Sequence, residues 1–313
     1  LADAPAVLPA RFNPAPGTYV ISASTLRGLK LVDPEMYDWF WHREPDDVVA
    51  NAMLVYHVPV PDPRPTWLAQ CGVPVVPLTP EVAAERFGRD DLRLIAFDCT
   101  QSWVYPEGGD APGWTVLHRL VAQEDDPFIR DQLALARVSF EQERTGITPP
   151  LTVYEWNPAA PAPEETGPVW SAPADWHPSE AISQGDRVTP PVPLGPLTFA
   201  GYQVAEQENA ITLTTFWHVD EQPTAAFSIM GHLIDAAGQP LVVGDGLGVP
   251  WHQLLPGDML VQRHHLPLPA DLAPGTYWLH TGAYQLDTLE RFPVLGGDAV
   301  AADRFLLTRV EVD

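Results

Sequence analysis

The sequence predicts a two-domain chain: an α/β domain with a mixed sheet, followed by an all-β antiparallel sandwich of immunoglobulin-like or jelly-roll-like type. Three observations lead there. The 313 residues are about twice the usual domain size. Strand and helix signals alternate over the first half of the chain. From Leu197 onward, short strands separated by turns follow one another without a clear helix. The expected boundaries are 1–157 for the α/β domain, 158–190 for a proline-rich connector and 191–313 for the sandwich.

In the first domain, GTYVISAS (Gly17 to Ser24) and NAMLVYHV (Asn51 to Val58) are apolar and β-branched enough to form strands. Between them, DPEMYDWFWHREP offers Asp33 as N-cap, Pro34 at the first helical position and Pro45 as a stop, which predicts a short aromatic helix. LTPEVAAERFG repeats the device with Thr79 and Pro80, and Gly88 closes it. LRLIAFD (Leu92 to Asp98) and WTVLHRLV (Trp114 to Val121) read as strands. The segment from Asp125 to Gly146 reads as one long helix opened by Asp126 and Pro127, because Ile129, Leu133, Ala136 and Phe140 recur at helical spacing. LTVYEW (Leu151 to Trp156) supplies a last strand.

Asn157 to Pro178 is dense in proline, alanine and acid and reads as an extended connector, with Trp170 and Trp176 expected to pack back on a domain surface. The second domain offers about seven strands, with DAAGQP, LPGD and LAPG as turns. Along Ile211 to Val219, alternation puts Ile211, Leu213, Trp217 and Val219 on one face and Thr212, Thr214 and His218 on the other.

Composition narrows the function. With 41 acidic and 17 basic residues, the latter including one lysine, Lys30, the net charge is -24, so nucleic acid and anionic membrane surfaces are repelled. Thirty-six prolines favour turns and extended connectors over long helices. No run approaches the ~18 to 20 apolar residues of a membrane helix. The chain starts at Leu1 without a basic n-region and apolar segment, as expected of a mature or excised portion of something longer. Cys71 and Cys99 allow one intrachain pairing, closing a loop worth ~3 to 4 kcal/mol in the chain-entropy model and suited to an oxidising compartment. Free buried cysteines, or a nucleophilic Cys99 held by a base such as His118, are the alternatives, although no papain-like or thioredoxin-like pattern surrounds Cys99.

Six of the ten histidines fall in the predicted sandwich: His218, His232, His252, His264, His265 and His280. A zinc site would need three or four of them to converge, and adjacent His264 and His265 point to opposite strand faces, so no metal site is assigned. Trp278, His280 and Tyr284 have even spacing on one strand and form an aromatic row against which sugar rings could stack; the alternative is a sheet core of large rings. Trp103 and Tyr105, beside Cys99, are further carbohydrate-binding candidates. No phosphate loop, HExxH, GxSxG or Walker pattern appears, Asp98 at a strand end is expected to cap its loop, and neither a catalytic residue nor a cofactor is assigned.

Longer phrases are more specific. GTYVISASTLRGL followed by WFWHREPDDVVANAMLVYHV resembles the segment after the last membrane spans in bacterial multi-pass glycosyltransferases of the protein-mannosyltransferase type, where PGxYAISxxxLxG precedes REPxxxxGxSxxVY. TWLAQCGVPVVPL, GRDDLRLIAFDCTQSWVYP and PGWTVLH are similar to the continuation in relatives from filamentous phototrophic bacteria, and GYQVAEQENAITLTTFWHV through DRFLLTRVEV to the β-sandwich that ends many of them. Ala50-Asn51 stands where the pattern has Gly-Tyr. The resemblance implies polyprenol-phosphate-linked sugar donors, a catalytic acid in an early extracytoplasmic loop and metal-assisted transfer at the outer membrane face. For this stretch it implies a non-catalytic extracytoplasmic module, tethered to the membrane-embedded portion of the same polypeptide, that positions an acceptor glycan or protein. A disulfide between Cys71 and Cys99 suits that compartment. The rival expectations are a secreted carbohydrate-active hydrolase with its site in the α/β domain, and a structural envelope module.

Overall fold

The computed structural model describes residues 14–26, 37–41, 43–59, 64–73, 75, 77–119, 125–134, 136–144, 149–157, 192–296 and 299–312. The 158–190 connector with Trp170 and Trp176, and the helix start at Asp33 and Pro34, lie outside them. The chain is mostly β, in several largely antiparallel sheets with short helices. It divides into two compact units. The first holds the described parts of Leu1–Ile95, Ala111–Asp125 and Leu135–Pro161, and the second those of Ala96–Asp110, Asp126–Ala134 and Ala162–Asp313.

The first unit starts with β1 (Gly17–Ser22) and α1 (Ala23–Leu26), then α2 (Asp38–Trp41), β2 (Asp47–Val49) and β3 (Met53–Val58). These three strands form an antiparallel sheet in the order β1-β3-β2. A second sheet is built from β4 (Trp67–Cys71), β5 (Arg93–Phe97), β7 (Gly113–His118), β8 (Arg137–Gln142) and β9 (Leu151–Trp156), in the order β5-β4-β7-β9-β8. Here β4 runs parallel to β7, whereas β9 is antiparallel to both β7 and β8. Between β4 and β5, α3 (Pro80–Phe87) forms where the capping residues place it. The Thr79 side chain accepts from the Val82 amide, Pro80 opens the first turn, and Gly88 ends it in the left-handed region at φ 64°. Leu68, Phe87, Trp114, Val116 and Val153 join Phe40 and Tyr56 in one buried cluster.

The long helix expected from Asp125 to Gly146 is not formed. Asp126 does cap α4 (Pro127–Leu133) through the Phe128 amide, but the chain then becomes β8. Phe140 satisfies both the helical and the alternating pattern, and the pairing available along β9 decides between them.

The second unit adds β6 (Ser102–Tyr105), β10 (Val192–Leu194), β11 (Leu197–Gln207), β12 (Ala210–Val219), β13 (Phe227–Ile234), β14 (Pro240–Val243), β15 (Met259–Pro267), β16 (Gly275–Gln285), β17 (Val294–Gly296), β18 (Ala299–Ala302) and β19 (Phe305–Val312). One sheet has the order β18-β17-β10-β11-β12-β15-β6, the other β14-β13-β16-β19. Phe199 of β11 stacks on Phe305 of β19 at 4.7 Å, and the Tyr202 hydroxyl donates to the Leu307 carbonyl, so the two sheets share a core. β6 and α4, both ahead of the boundary expected at 157, fall in the second compact unit. The free edge of β15 explains the first of these, since Ser102 to Tyr105 occupy it as an antiparallel strand opposite Gln262 to Met259. Cys71, the last residue of β4, and Cys99, two residues after the neighbouring β5, form a disulfide.

Candidate functional site

The sequence-predicted sugar platform is buried. Trp278 is 6% exposed and packs on Ile234 and Leu306. His280 is equally enclosed, and Tyr284 is partly so. Trp103 and Tyr105 are interior residues of β6: Trp103 meets Phe97 edge-on at 5.3 Å, and the Tyr105 hydroxyl donates to the Gln132 carbonyl at 2.9 Å. Burial pushes the Tyr105 phenol far up. Even spacing does place Trp278, His280 and Tyr284 on one face, but these rings serve as packing. Asp98 takes the capping role expected of it, accepting from the Thr100 amide and hydroxyl and from the Gln101 side chain.

His280 instead belongs to a hydrogen-bonded relay. Its cross-strand partner on β13 is His232, with His280 Nε2 2.7 Å from His232 Nδ1. His232 Nε2 lies 2.6 Å from Asp245 Oδ1. Asp245 also accepts from the Gly231 amide and from the Tyr284 hydroxyl. Burial pushes the Asp245 carboxyl upward, but the His232 ring, the Gly231 N–H and the Tyr284 O–H together hold it below its ordinary value. His232 thus stands between the Asp245 carboxylate on its Nε2 side and the His280 ring on its Nδ1 side. Burial first, then His232, Arg304 and Arg291, depress the His280 pKa to about 2. His280 Nδ1 is buried with no hydrogen-bond partner among the described residues.

A third imidazole lies beneath. His264 Nδ1–H donates to the Gly244 carbonyl at 2.8 Å, and Nε2 is 3.2 Å from the Thr215 hydroxyl, which also accepts from Trp217 Nε1. Burial lowers the His264 pKa to about 4. Gly231 makes room for this ring, since a Cβ there would meet His264 Cγ at 2.4 Å. Among the described residues, no group of three or more His, Cys, Asp or Glu side chains is arranged to hold a metal ion. No helix among them is long and apolar enough to cross a membrane.

The first unit carries an open cleft of about 490 Å³. Its walls come from α2, β3, β7, β8 and β9, which supply Trp39, Tyr56, Trp114, Ser139 and Glu155. Phe40, buried against Tyr19 at 5.1 Å and Tyr56 at 5.0 Å, anchors the short α2, so that Trp39 and Arg43 face the cleft. The Arg43 guanidinium lies 3.9 Å from the Trp39 ring centroid and donates to the Ser139 carbonyl at 3.1 Å. Burial lowers the Arg43 pKa while Glu155 raises it. Asp46 accepts from the His57 amide and, with Glu44 and Glu155, gives the rim three carboxylates against one guanidinium. Trp39, Tyr56 and Trp114 belong to the buried core, so the cleft meets a ligand chiefly with its polar, net acidic rim, which suits a neutral hydroxylated ligand and disfavours an anion.

Sequence reasoning missed Arg43, Glu155, Asp245 and the His232–His280 pair as site residues. A signal was present for the first, as the WFWHREP phrase combines rings with an arginine. The His232–His280 pair depends on strand register, which no local pattern fixes. The chain matches no protein-family model and no curated protein at a significant level.

Proposed function

We propose that this chain is a non-catalytic extracytoplasmic module that holds an acceptor glycan, or the glycan of a protein acceptor, for a glycosyltransferase-like membrane protein of the protein-mannosyltransferase type. The observation that carries the reading is the first unit's cleft of about 490 Å³, where Arg43, Glu44, Asp46 and Glu155 supply hydrogen-bonding groups around a base of core aromatic residues, Trp39, Tyr56 and Trp114. The disulfide agrees with an oxidising compartment. We read the second unit as an immunoglobulin-like or jelly-roll-like sandwich and the first as an α/β layer, the arrangement such a module would have.

The test is glycan binding by the isolated chain, on an array and then by calorimetry. Binding should weaken by about tenfold or more in Arg43→Ala and in Glu155→Gln, each of which removes a charged hydrogen-bonding group. Failure to bind any glycan, or undiminished binding in both variants, rejects the cleft. Hydrolysis of a glycoside by the chain alone would identify a secreted hydrolase instead, and an open reading frame without membrane spans upstream would remove the tethered arrangement.

A further inference from the structure

The second unit contains a separate cavity of about 560 Å³, independent of the first unit's cleft and absent from the reading above. Its floor is the polar face of β12 and β15. Thr212 and His265 are cross-strand partners, and Thr214 and Arg263 are the next pair on that face. The opposite wall is Gly244, Asp245 and Gly246, with Gln207 and Gln262 at the sides. Without side chains at Gly244 and Gly246 the backbone comes close to β15, and a Cβ at Gly244 would lie 2.9 Å from the His265 carbonyl.

The charges in this cavity are fixed in place. Arg263 donates to the Thr100 carbonyl and to Asp126 Oδ1 at 2.8 Å, and its guanidinium sits over the Phe128 ring at 4.8 Å, so it is held as part of the wall with its charge paired to Asp126. Asp245 is the one carboxylate among the cavity-lining residues. Gly231 and Tyr284 donate to it and the His232 ring lies 2.6 Å away, which fixes its position and leaves acceptor capacity toward the cavity. Gln207 and Thr212 add groups that both donate and accept.

We propose that this cavity is a hydrogen-bonding site for a small neutral polyol of the monosaccharide class, with Asp245 as its principal acceptor. An anion is disfavoured by Asp245 and by the net charge of -24. A ligand offering many hydroxyls matches a wall that mixes acceptors with donors, and the volume lies within the range of small-molecule sites. No tryptophan, tyrosine or phenylalanine lines the cavity, so binding rests on hydrogen bonds alone, at a Kd of about 1 mM or weaker.

The experiment is an amide-resolved NMR titration of the full chain with glucose, mannose and galactose, each taken to about 100 mM, well above the expected Kd. Saturable shifts are expected at Thr212, Gly246 and His265, set apart from any at Trp39 or Glu155, and weakened about tenfold in Asp245→Asn. Gln207→Ala, whose parent side chain is exposed, provides the same check without disturbing the buried relay. The proposal is overturned by an absence of shifts at these positions with all three sugars, by equal shifts in both variants, or by saturation with methylammonium in place of sugar.

Discussion

Both units enclose polar side-chain atoms without a hydrogen-bond partner among the described residues, Trp278 Nε1 and His280 Nδ1 in the second, but the second also carries a connected buried network. In the second, Ser102, Thr215, Gln262 and His264 are buried and joined to one another or to backbone carbonyls, and glycines leave room for the rings. In the first, His118 Nδ1, Arg119 Nε and both polar atoms of the Gln142 side chain are enclosed without hydrogen-bond partners among the described residues. His118 and Gln142 flank Leu151 in one cross-strand row of β7, β9 and β8. A satisfied buried network specifies one arrangement of its strands; an unsatisfied one subtracts stability and leaves the site open to substitution.

Acid should expose this difference most strongly. The folded-state pKa values of His264 and His280 lie at about 4 and about 2, below the 6.5 of a free imidazole. Below pH 6.5 the unfolded chain therefore takes up protons that the folded chain refuses. Stability is complete above that pH and is lost as pH falls toward the folded values. Each ring contributes a loss of about 1.4 kcal/mol per pH unit, on the order of 6 kcal/mol for both by pH 4. Asp245, held below its ordinary value, adds its own loss only at lower pH. Urea midpoints measured from neutral pH down to about 4 should fall steeply, with hydrogen-exchange protection lost first in β13, β15 and β16. A midpoint independent of pH over that range would mean the rings are not enclosed.

Packing around the relay gives a smaller effect. Gly231→Ala drives a methyl group into the His264 ring and should destabilise by about 2 to 3 kcal/mol. Gly238→Ala is the control, because its φ of 79° carries strain but its Cβ meets nothing within 4 Å, so a loss of about 1 kcal/mol is expected. Equal losses in chemical denaturation would show that backbone strain, not the ring contact, governs Gly231.

The smallest effect should have the opposite sign. Gln142→Met in the first unit replaces a buried amide that has no hydrogen-bond partner among the described residues with an apolar chain of similar shape, and stability should stay constant or rise by about 1 kcal/mol. A clear loss in thermal or urea unfolding would indicate that Gln142 has a partner such as bound water.

Local chemistry carried much of the architecture. The capped helix at Thr79 to Gly88, the strand at Leu151 to Trp156 and the strand run of the second half could be read from caps, turns and alternation, since those signals act within a few residues. The failure at Asp125 to Gly146 came from a segment that fits two periods, decided by pairing with β9. The sugar-site candidates show a different limit of sequence reading. Spacing put Trp278, His280 and Tyr284 on one face, but whether a face is open or covered is a property of what packs on it, and here Trp278 and His280 are covered while Tyr284 is partly exposed.

What the amino-acid sequence determined by itself was a strand-rich, acidic chain with one available disulfide pairing, because composition, caps and turn residues act locally and need no partner. Tertiary structure alone decided that Ser102 to Tyr105 would complete the edge of a sheet formed by residues far along the chain. It also decided that His280 would meet His232, that Asp245 would face a cavity and that Arg43 would stack on Trp39 in a cleft. Each of these depends on strand register and on which surfaces remain free after packing, and that balance is struck only when distant segments compete for the same edge or the same core.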